Sequence, residues 1–361
     1  MSSLGTGVTK LLGRLSINPA TRQSQLARDL NVTRSAVNQL WKKLEQENNL
    51  RILSNLDYKS IGFHVVYGWV ATRTDKDTLS KFQKWIENHE YTISVARSKL
   101  TSFMDDRIIF ESLVPEGNEV RNFLQTVERF RKKPYSLNVT YDFASNIANH
   151  FNFGYFDGST WNFQTDFRLE AAIDAAKKYA DILPVGQSKR QGTLRRVSLQ
   201  DITIAAALEA NYFVTSSELA NILSRVGLDV PSDRTLRRRI NKFRELTAQP
   251  YISLENIGLS RMFAVTLEAS EQSNVSKLLR SQAVTMPKAR VLSGSDSMLL
   301  VLNLPADTDL FYISNAMTHI VSSPTETCTF IAEQVRERRW LENIVHKMTV
   351  RVRTKKEKPG E

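Results

Sequence analysis

Leu26-Ala27…Leu30 recurs in the sequence as Leu219-Ala220…Leu223, and Val37, Trp41 and Leu44 recur as Leu236, Ile240 and Phe243. Ile61-Gly62-Phe63 returns as Ile257-Gly258-Leu259. The offsets are 193, 199 and 196 residues, so one register holds through the unit with small insertions. Two copies are too few for a solenoid, whose repeats lean on neighbours along a stack. The pattern therefore requires a duplicated two-part module.

The first part of each copy reads as three helices. Val8 to Ile17 is an apolar-periodic run stopped by Asn18-Pro19, Arg22 to Leu30 is short and amphipathic, and Asn31-Val32 makes a turn. Thr33 is the expected N-cap of a third helix reaching about Glu47, and the basic "NLRILSNLDY" suits a small wing. The second copy follows with a helix near Leu199 to Ala210, a longer turn "SRVGLDVP", and a third helix started by Pro231 and Ser232.

The second part alternates short β patterns with helices. Strands are expected at Val65–Ala71, Thr92–Ser98, Arg107–Leu113 and Ser136–Tyr141, with helices at Thr78–Asn88 and Glu119–Arg131. The second copy places strands at Met262–Glu268, Arg290–Ser293, Ser297–Asn303 and Thr327–Ile331, with helices at Ser273–Arg280 and Asp309–Ile320. This β-α-β-β-α-β order is ferredoxin-like. The fold class is thus α+β, with duplicated winged helix-turn-helix plus ferredoxin-like domains. The expected domains are winged helices at 1–60 and 197–256 and ferredoxin-like domains at 61–142 and 257–331. A joining segment spans 143–196, and a C-terminal helix and basic tail span 332–361. The joining segment holds "FNFGYFDGSTWNFQTDF", seven aromatics around an Asp157-Gly158 hairpin signal, then a helix at 168–180 and a basic linker.

Charge points to a partner. The 361 residues carry a formal +11, which favours polyanions such as nucleic acid. Four arginines occupy the six positions 234–239. At 100° per residue, Leu236, Ile240 and Phe243 fall within about 60° of each other and form the core stripe. Arg234, Arg238, Asn241 and Lys242 then face outward with Arg237 on a flank, behind the N-terminal Ser232. A helix of this kind fits the major groove, where Arg reads guanine, Asn reads adenine and Lys meets phosphate. The first copy is milder: Thr33, Arg34, Ser35, Gln39, Lys42 and Lys43 make the matching surface. The two heads are expected to read unlike half-sites.

"SELANILSRVGLDVPSDRTLRRRINKFRE" resembles the helix-turn-helix of the Lrp/AsnC transcription regulators. "SLENIGLSRMFAVTLEA" is similar to their hinge and first sheet strand, and "MPKARVLSGSDSMLLVLNLPADTDLFYI" to their strand-Gly-strand and second helix. The resemblance covers most of residues 200–331; the first copy, with "ISVARSKLTSFMDDRIIFESLV", lacks the glycine. It implies a double-stranded DNA partner and an intramolecular pseudo-dimer that can assemble into a homo-oligomer. It also implies a small-molecule effector near Gly294 and Asp296.

Other chemistry is not legible. "GTGVTK" at 5–10 lacks the ending of a phosphate loop, the five histidines are scattered, and Asp105-Asp106 reads as a turn. The expectation is no metal, no cofactor, no catalytic residue, and a chain that is not an enzyme. No apolar run has the length of a spanning helix, so no membrane partner is expected. The single cysteine, Cys328, suits the reducing cytoplasm, at the nucleoid. One rival reading is a nucleoid-associated protein of low sequence preference. The other is an enzyme resembling the siroheme decarboxylases, for which His64, Tyr67 and Trp69 are the residues on offer. The aromatic segment is expected to be a buried packing or subunit surface, with the stacking of single-stranded bases as the alternative.

Overall fold

A computed structural model describes residues 4–73, 75–99, 105–163, 197–245, 247–320 and 327–338, with 174, 178, 341, 342 and 345. The first half runs α1 (Thr6–Ile17), α2 (Gln23–Asp29), α3 (Arg34–Asn48), β1 (Arg51–Leu56), β2 (Phe63–Thr72), α4 (Lys76–Asn88), β3 (Thr92–Ser98), β4 (Asp106–Pro115), α5 (Asn118–Arg131), β5 (Asn138–Phe143) and β6 (Asn146–Phe151). The second runs α6 (Leu199–Ala210), α7 (Ser216–Arg225), α8 (Asp233–Glu245), β7 (Thr247–Ser253), β8 (Arg261–Leu267), α9 (Asn274–Thr285), β9 (Lys288–Ser293), β10 (Met298–Leu304), α10 (Leu310–Ile320) and β11 (Thr327–Glu337). The order of elements repeats, as the α+β duplicated reading requires.

Backbone detail repeats too. Gly62 and Gly258, the hinge glycines, share a left-handed φ of 83°. Asn31 and Gly227 supply positive φ at the turn before each third helix. Asn tolerates that region and Gly enters it without strain, so different residues solve the same turn.

Nine antiparallel strands form one sheet in the order β5-β2-β4-β3-β11-β8-β10-β9-β6. β5 and β6 stand at opposite ends of that order yet are separated in the chain only by Ala144 and Ser145. The switch is visible in the backbone: Ala144 N donates to Val65 O at 2.8 Å, and Ser145 N donates to Ser293 O at 2.9 Å. β11 makes the same exchange, pairing with β8 up to Ala332 and with β3 from there on. Each half therefore lends the end of its last strand to the other.

Side-chain alternation along the strands then defines three layers. Val66, Val70 and Phe110 of the sheet pack with Phe123 of α5 under α4 and α5, and Val265 and Leu300 pack with Leu279 of α9 and Ile313 of α10. Tyr67, Trp69, Ile109, Ala264, Leu299 and Phe330 fill the interior between the halves. Full burial of such side chains contributes roughly 1.5–3 kcal/mol each.

The wings differ from expectation. β1 and β7 pair with each other in a two-stranded antiparallel ribbon, from Arg51↔Ser253 to Leu56↔Thr247. A lone β-ribbon edge leaves backbone groups unpaired, and pairing wing to wing satisfies them. α6 of the second head packs on this ribbon, where Ser54 Oγ donates to Leu208 O at 2.7 Å.

The aromatic segment is a clamp, not a stacking surface. Asp157 accepts from Ser159 N and Thr160 N, both at 2.8 Å, which sets the tight turn. Phe153, Phe156 and Trp161 are each 6 % exposed and pack beneath α1 and the ribbon. Trp161 Nε1 donates to Ile257 O, so the clamp also holds the second hinge. Buried rings cannot stack on bases, which removes the single-strand reading for these residues. The expected helix at 168–180, apart from Asp174 and Lys178, the basic linker and the tail beyond Val345 lie outside the described residues.

Candidate nucleic-acid interface

The second head is built on two capping boxes. Thr215 Oγ1 accepts from Glu218 N at 3.2 Å while Glu218 Oε2 accepts from Thr215 N at 2.7 Å, starting α7. Ser198 and Asp201 do the same for α6. Such caps satisfy backbone N–H groups that a helix start leaves open. Leu219, Leu223, Leu236, Ile240 and Phe243 then lock α7 and α8 together.

The structure sorts the basic residues of α8 into two groups. Arg239 donates to Asp201 Oδ1 at 3.0 Å and to Gln200 Oε1, and so pins α8 to α6. Arg244 donates from Nη2 to the carbonyls of Tyr212 and Val214, both at 3.3 Å. Burial lowers the Arg244 pKa, against the effect of Tyr212. Arg234, Arg238 and Lys242 form the second group: all are exposed, with no ion pair among the described residues. Arg237 is 72 % exposed at the side chain and pairs with Asp233 at 2.9 Å, an i,i+4 surface contact that water and salt weaken. Asn241 is exposed and its Oδ1 accepts from Arg244 Nη1 at 3.3 Å. Ser232 Oγ accepts from Thr235 N at 3.4 Å at the helix start.

In the first head, Thr33 Oγ1 accepts from Ala36 N at 3.1 Å, the expected N-cap. Arg34, Ser35, Gln39, Lys42 and Lys43 are exposed along α3, while Val37, Trp41 and Leu44 are buried. Lys43 lies 3.9 Å from Glu47, a loose surface pair. The two outward faces therefore differ in charge and in hydrogen-bonding groups.

The loop at Gly294 is already occupied. Asp142, from β5, accepts at Oδ2 from Asp296 N at 2.8 Å and Ser297 N at 3.1 Å. Tyr67 Oη donates to Ser297 O at 2.6 Å. A Cβ on Gly294 would stand 2.3 Å from Asp142 Oδ2, so glycine is what lets β5 approach. An effector using the Gly294 and Asp296 backbone would have to displace the Asp142 carboxylate. Sequence reasoning missed this brace because Asp142 lies about 150 residues away in the chain and no local pattern announces it.

His64, Tyr67 and Trp69 do not converge. Tyr67 and Trp69 point into the interior, whereas His64, on the alternate face of β2, is 3.5 Å from Glu116 and packs edge-on to Phe143. Burial lowers the His64 pKa, against Glu116.

No family model matches the sequence, and no curated protein matches it. Solved structures do. The siroheme decarboxylase NirDL is 11 % identical over 96 % of this chain and 99 % of its own, with a TM-score of 0.52. Its complex with an iron-uroporphyrin III analogue gives 10 % identity over the same shares and a TM-score of 0.53. The AsnC-family regulatory protein PF0864 from Pyrococcus furiosus matches 40 % of this chain and 92 % of its own, at 19 % identity and a TM-score of 0.29. The expectation that the chain is not an enzyme is corrected here, because a solved structure sharing the fold over the whole chain is that of an enzyme. What the whole-chain likeness shows is the fold, two winged helix-turn-helix and two ferredoxin-like units in one polypeptide.

Proposed function

We propose that the chain is an Lrp/AsnC-like transcription regulator of the cytoplasm that binds double-stranded DNA through two unlike helix-turn-helix heads. The heads are residues 1–60 and 197–256, carried on ferredoxin-like domains at 61–142 and 257–331. One observation carries the reading: Arg234, Arg238 and Lys242 stand exposed on the outer face of α8 with no ion pair among the described residues, while Arg239 and Arg244 hold the head together. Arg234 and Arg238, one turn apart near the start of the helix, suit guanine edges; Lys242 suits phosphate. Ser35 and Gln39 on α3 give the first head a different code.

The test is binding of a mixed-sequence duplex across a salt series. If the two heads neutralise about six phosphates, affinity falls by about 10³ between 50 and 200 mM salt. An affinity indifferent to salt overturns the reading.

A second reading has one observation in its favour, the whole-chain likeness to siroheme decarboxylase NirDL. In this reading the chain binds and decarboxylates a tetrapyrrole. Titration with siroheme decides it: a saturable absorption change that is lost in His64→Ala establishes a tetrapyrrole site, and an unchanged spectrum removes it.

A further inference from the structure

The two copies make the same turn after their first helices, α1 and α6. Asn18 Oδ1 accepts from Ala20 N at 3.1 Å. Its counterpart at the 193-residue offset, Asn211, accepts at Oδ1 from Phe213 N at 2.9 Å. What the turn carries is different: Pro19-Ala20 in the first copy, Tyr212-Phe213 in the second. A change made in one copy only marks a feature that the shared module does not need.

Both rings lie against the first head. Tyr212 and Phe213 pack on the core cluster that holds Leu15, Leu26 and Trp41 of that head and Ile52 of its wing. Their ring centres are 5.2 Å apart and their planes stand at 78°. Tyr212 N donates to Ile52 O at 2.8 Å, so the backbone crosses from one head to the other as well. The end of α8 is fastened to the same turn. Arg244 Nε and Nη2 donate to Tyr212 O at 3.4 and 3.3 Å, and Nη2 also reaches Val214 O at 3.3 Å. The guanidinium carbon stands 5.7 Å from the centre of the Tyr212 ring, within the reach of a cation–π contact.

The fastening is one-sided. The counterpart of Arg244 at the 199-residue offset is Glu45, which accepts from Trp41 Nε1 at 2.8 Å inside its own helix. The junction also holds against repulsion. Burial lowers the Arg244 pKa, Tyr212 opposes this, and the positive charge of Arg22, at the start of α2 in the first head, adds to it.

We propose that Tyr212 and Phe213 wedge the second head onto the first and that Arg244 is the positioning residue that carries this constraint into α8, so that α3 and α8 meet a duplex at one fixed spacing. The β1–β7 ribbon joins the heads at their roots, and the wedge stops them rocking about it. The wedge stands on these contacts; its consequence for spacing rests on the DNA-binding reading.

The experiment has one part without DNA and one with it. Nitroxide labels on Ser24→Cys of α2 and Ser224→Cys of α7, both exposed positions, in a Cys328→Ser background, report the head-to-head distance by electron double resonance. The parent should give one narrow distance distribution. Arg244→Met should broaden it, and so should the double change Tyr212→Pro with Phe213→Ala, which installs the residues of the first copy. Arg244→Met leaves both rings in place and covers the case in which the double variant fails to fold. A broad distribution in the parent, or an unchanged one in Arg244→Met, overturns the proposal. On a duplex site selected from random DNA, an insert of about five base pairs between the halves is half of a turn of about 10–10.5. It should weaken the parent at least about 10²-fold, because the heads no longer engage together, and weaken each variant at least about tenfold less. Equal loss in parent and variants, or no loss in the parent, also overturns it. A chain that binds no duplex sinks only the regulator reading, since the label distances still decide the wedge.

Discussion

Arg290 of the second half reaches Glu111 of the first with two nitrogens, Nε at 3.0 Å from Oε1 and Nη2 at 2.7 Å from Oε2. The Glu111 side chain is only 6 % exposed, and the pair lies in the interior where the two halves face each other. A buried two-pronged pair adds little over a well-packed apolar pair, but a single missing partner leaves an uncompensated charge. Glu111→Gln is therefore expected to cost about 3–5 kcal/mol, and the double change Glu111→Leu with Arg290→Met much less. Urea unfolding of the three proteins checks this; a double variant no better than the single one contradicts it.

Glu209 gives the protein a pH dependence. It is buried on α6, receives the Tyr58 hydroxyl at 2.5 Å and the Leu341 N–H at 2.8 Å, and has its pKa pushed up to about 7 by burial, against the lowering effect of those bonds. The folded chain thus holds a proton that the unfolded chain releases near the ordinary value of 4.5. Its contribution to stability is full below about pH 4.5 and is lost as pH rises through about 7. The loss is of the order of 3 kcal/mol. Melting temperatures from pH 5 to 8 should fall in the parent and stay flatter in Glu209→Gln.

Two glycines should respond with opposite signs to alanine. At Gly294 the new methyl meets Asp142 Oδ2 at 2.3 Å and Phe143 O at 2.6 Å, one of them backbone that cannot swing away. Gly294→Ala is expected to destabilise by about 1–3 kcal/mol. Gly13, inside α1, has no atom within 4 Å of a built Cβ, and Gly13→Ala should stabilise by roughly 0.5–1 kcal/mol. Denaturant midpoints read both; a neutral Gly294→Ala would show that β5 and the loop are not braced as described.

Local chemistry made much of this fold legible in the sequence. Thr33 caps α3 as its hydroxyl and position foretell, and Leu236, Ile240 and Phe243 fall on one buried stripe. Strands with one apolar face and helices with 3.6-residue periodicity were placed within a few residues. β6 was missed because "NIANHF" has no alternating pattern of its own and becomes a strand only by pairing with β9, from Asn146↔Ser293 to Phe151↔Lys288. β11 runs to Glu337, six residues beyond the expected Ile331, because β3 of the other half continues the ladder. The outward face of α8 was readable from helical spacing, but not which arginines serve the fold. Only the position of Asp201 and of the carbonyls of Tyr212 and Val214 assigns Arg239 and Arg244 to that role.

The central claim, that two unlike heads read duplex DNA, is tested most directly by selecting bound sites from random duplex DNA with the parent, Arg234→Ala, Arg238→Ala and Arg239→Ala. The parent should enrich a site with two different halves. Arg234→Ala and Arg238→Ala should each lose about 1–3 kcal/mol and relax preference at one or two base pairs of one half, with unchanged melting temperature. Arg239→Ala should lower the melting temperature, because its bonds to Asp201 and Gln200 hold α8 in place. No enriched site in the parent, or an unchanged site in both Arg234→Ala and Arg238→Ala, contradicts the account.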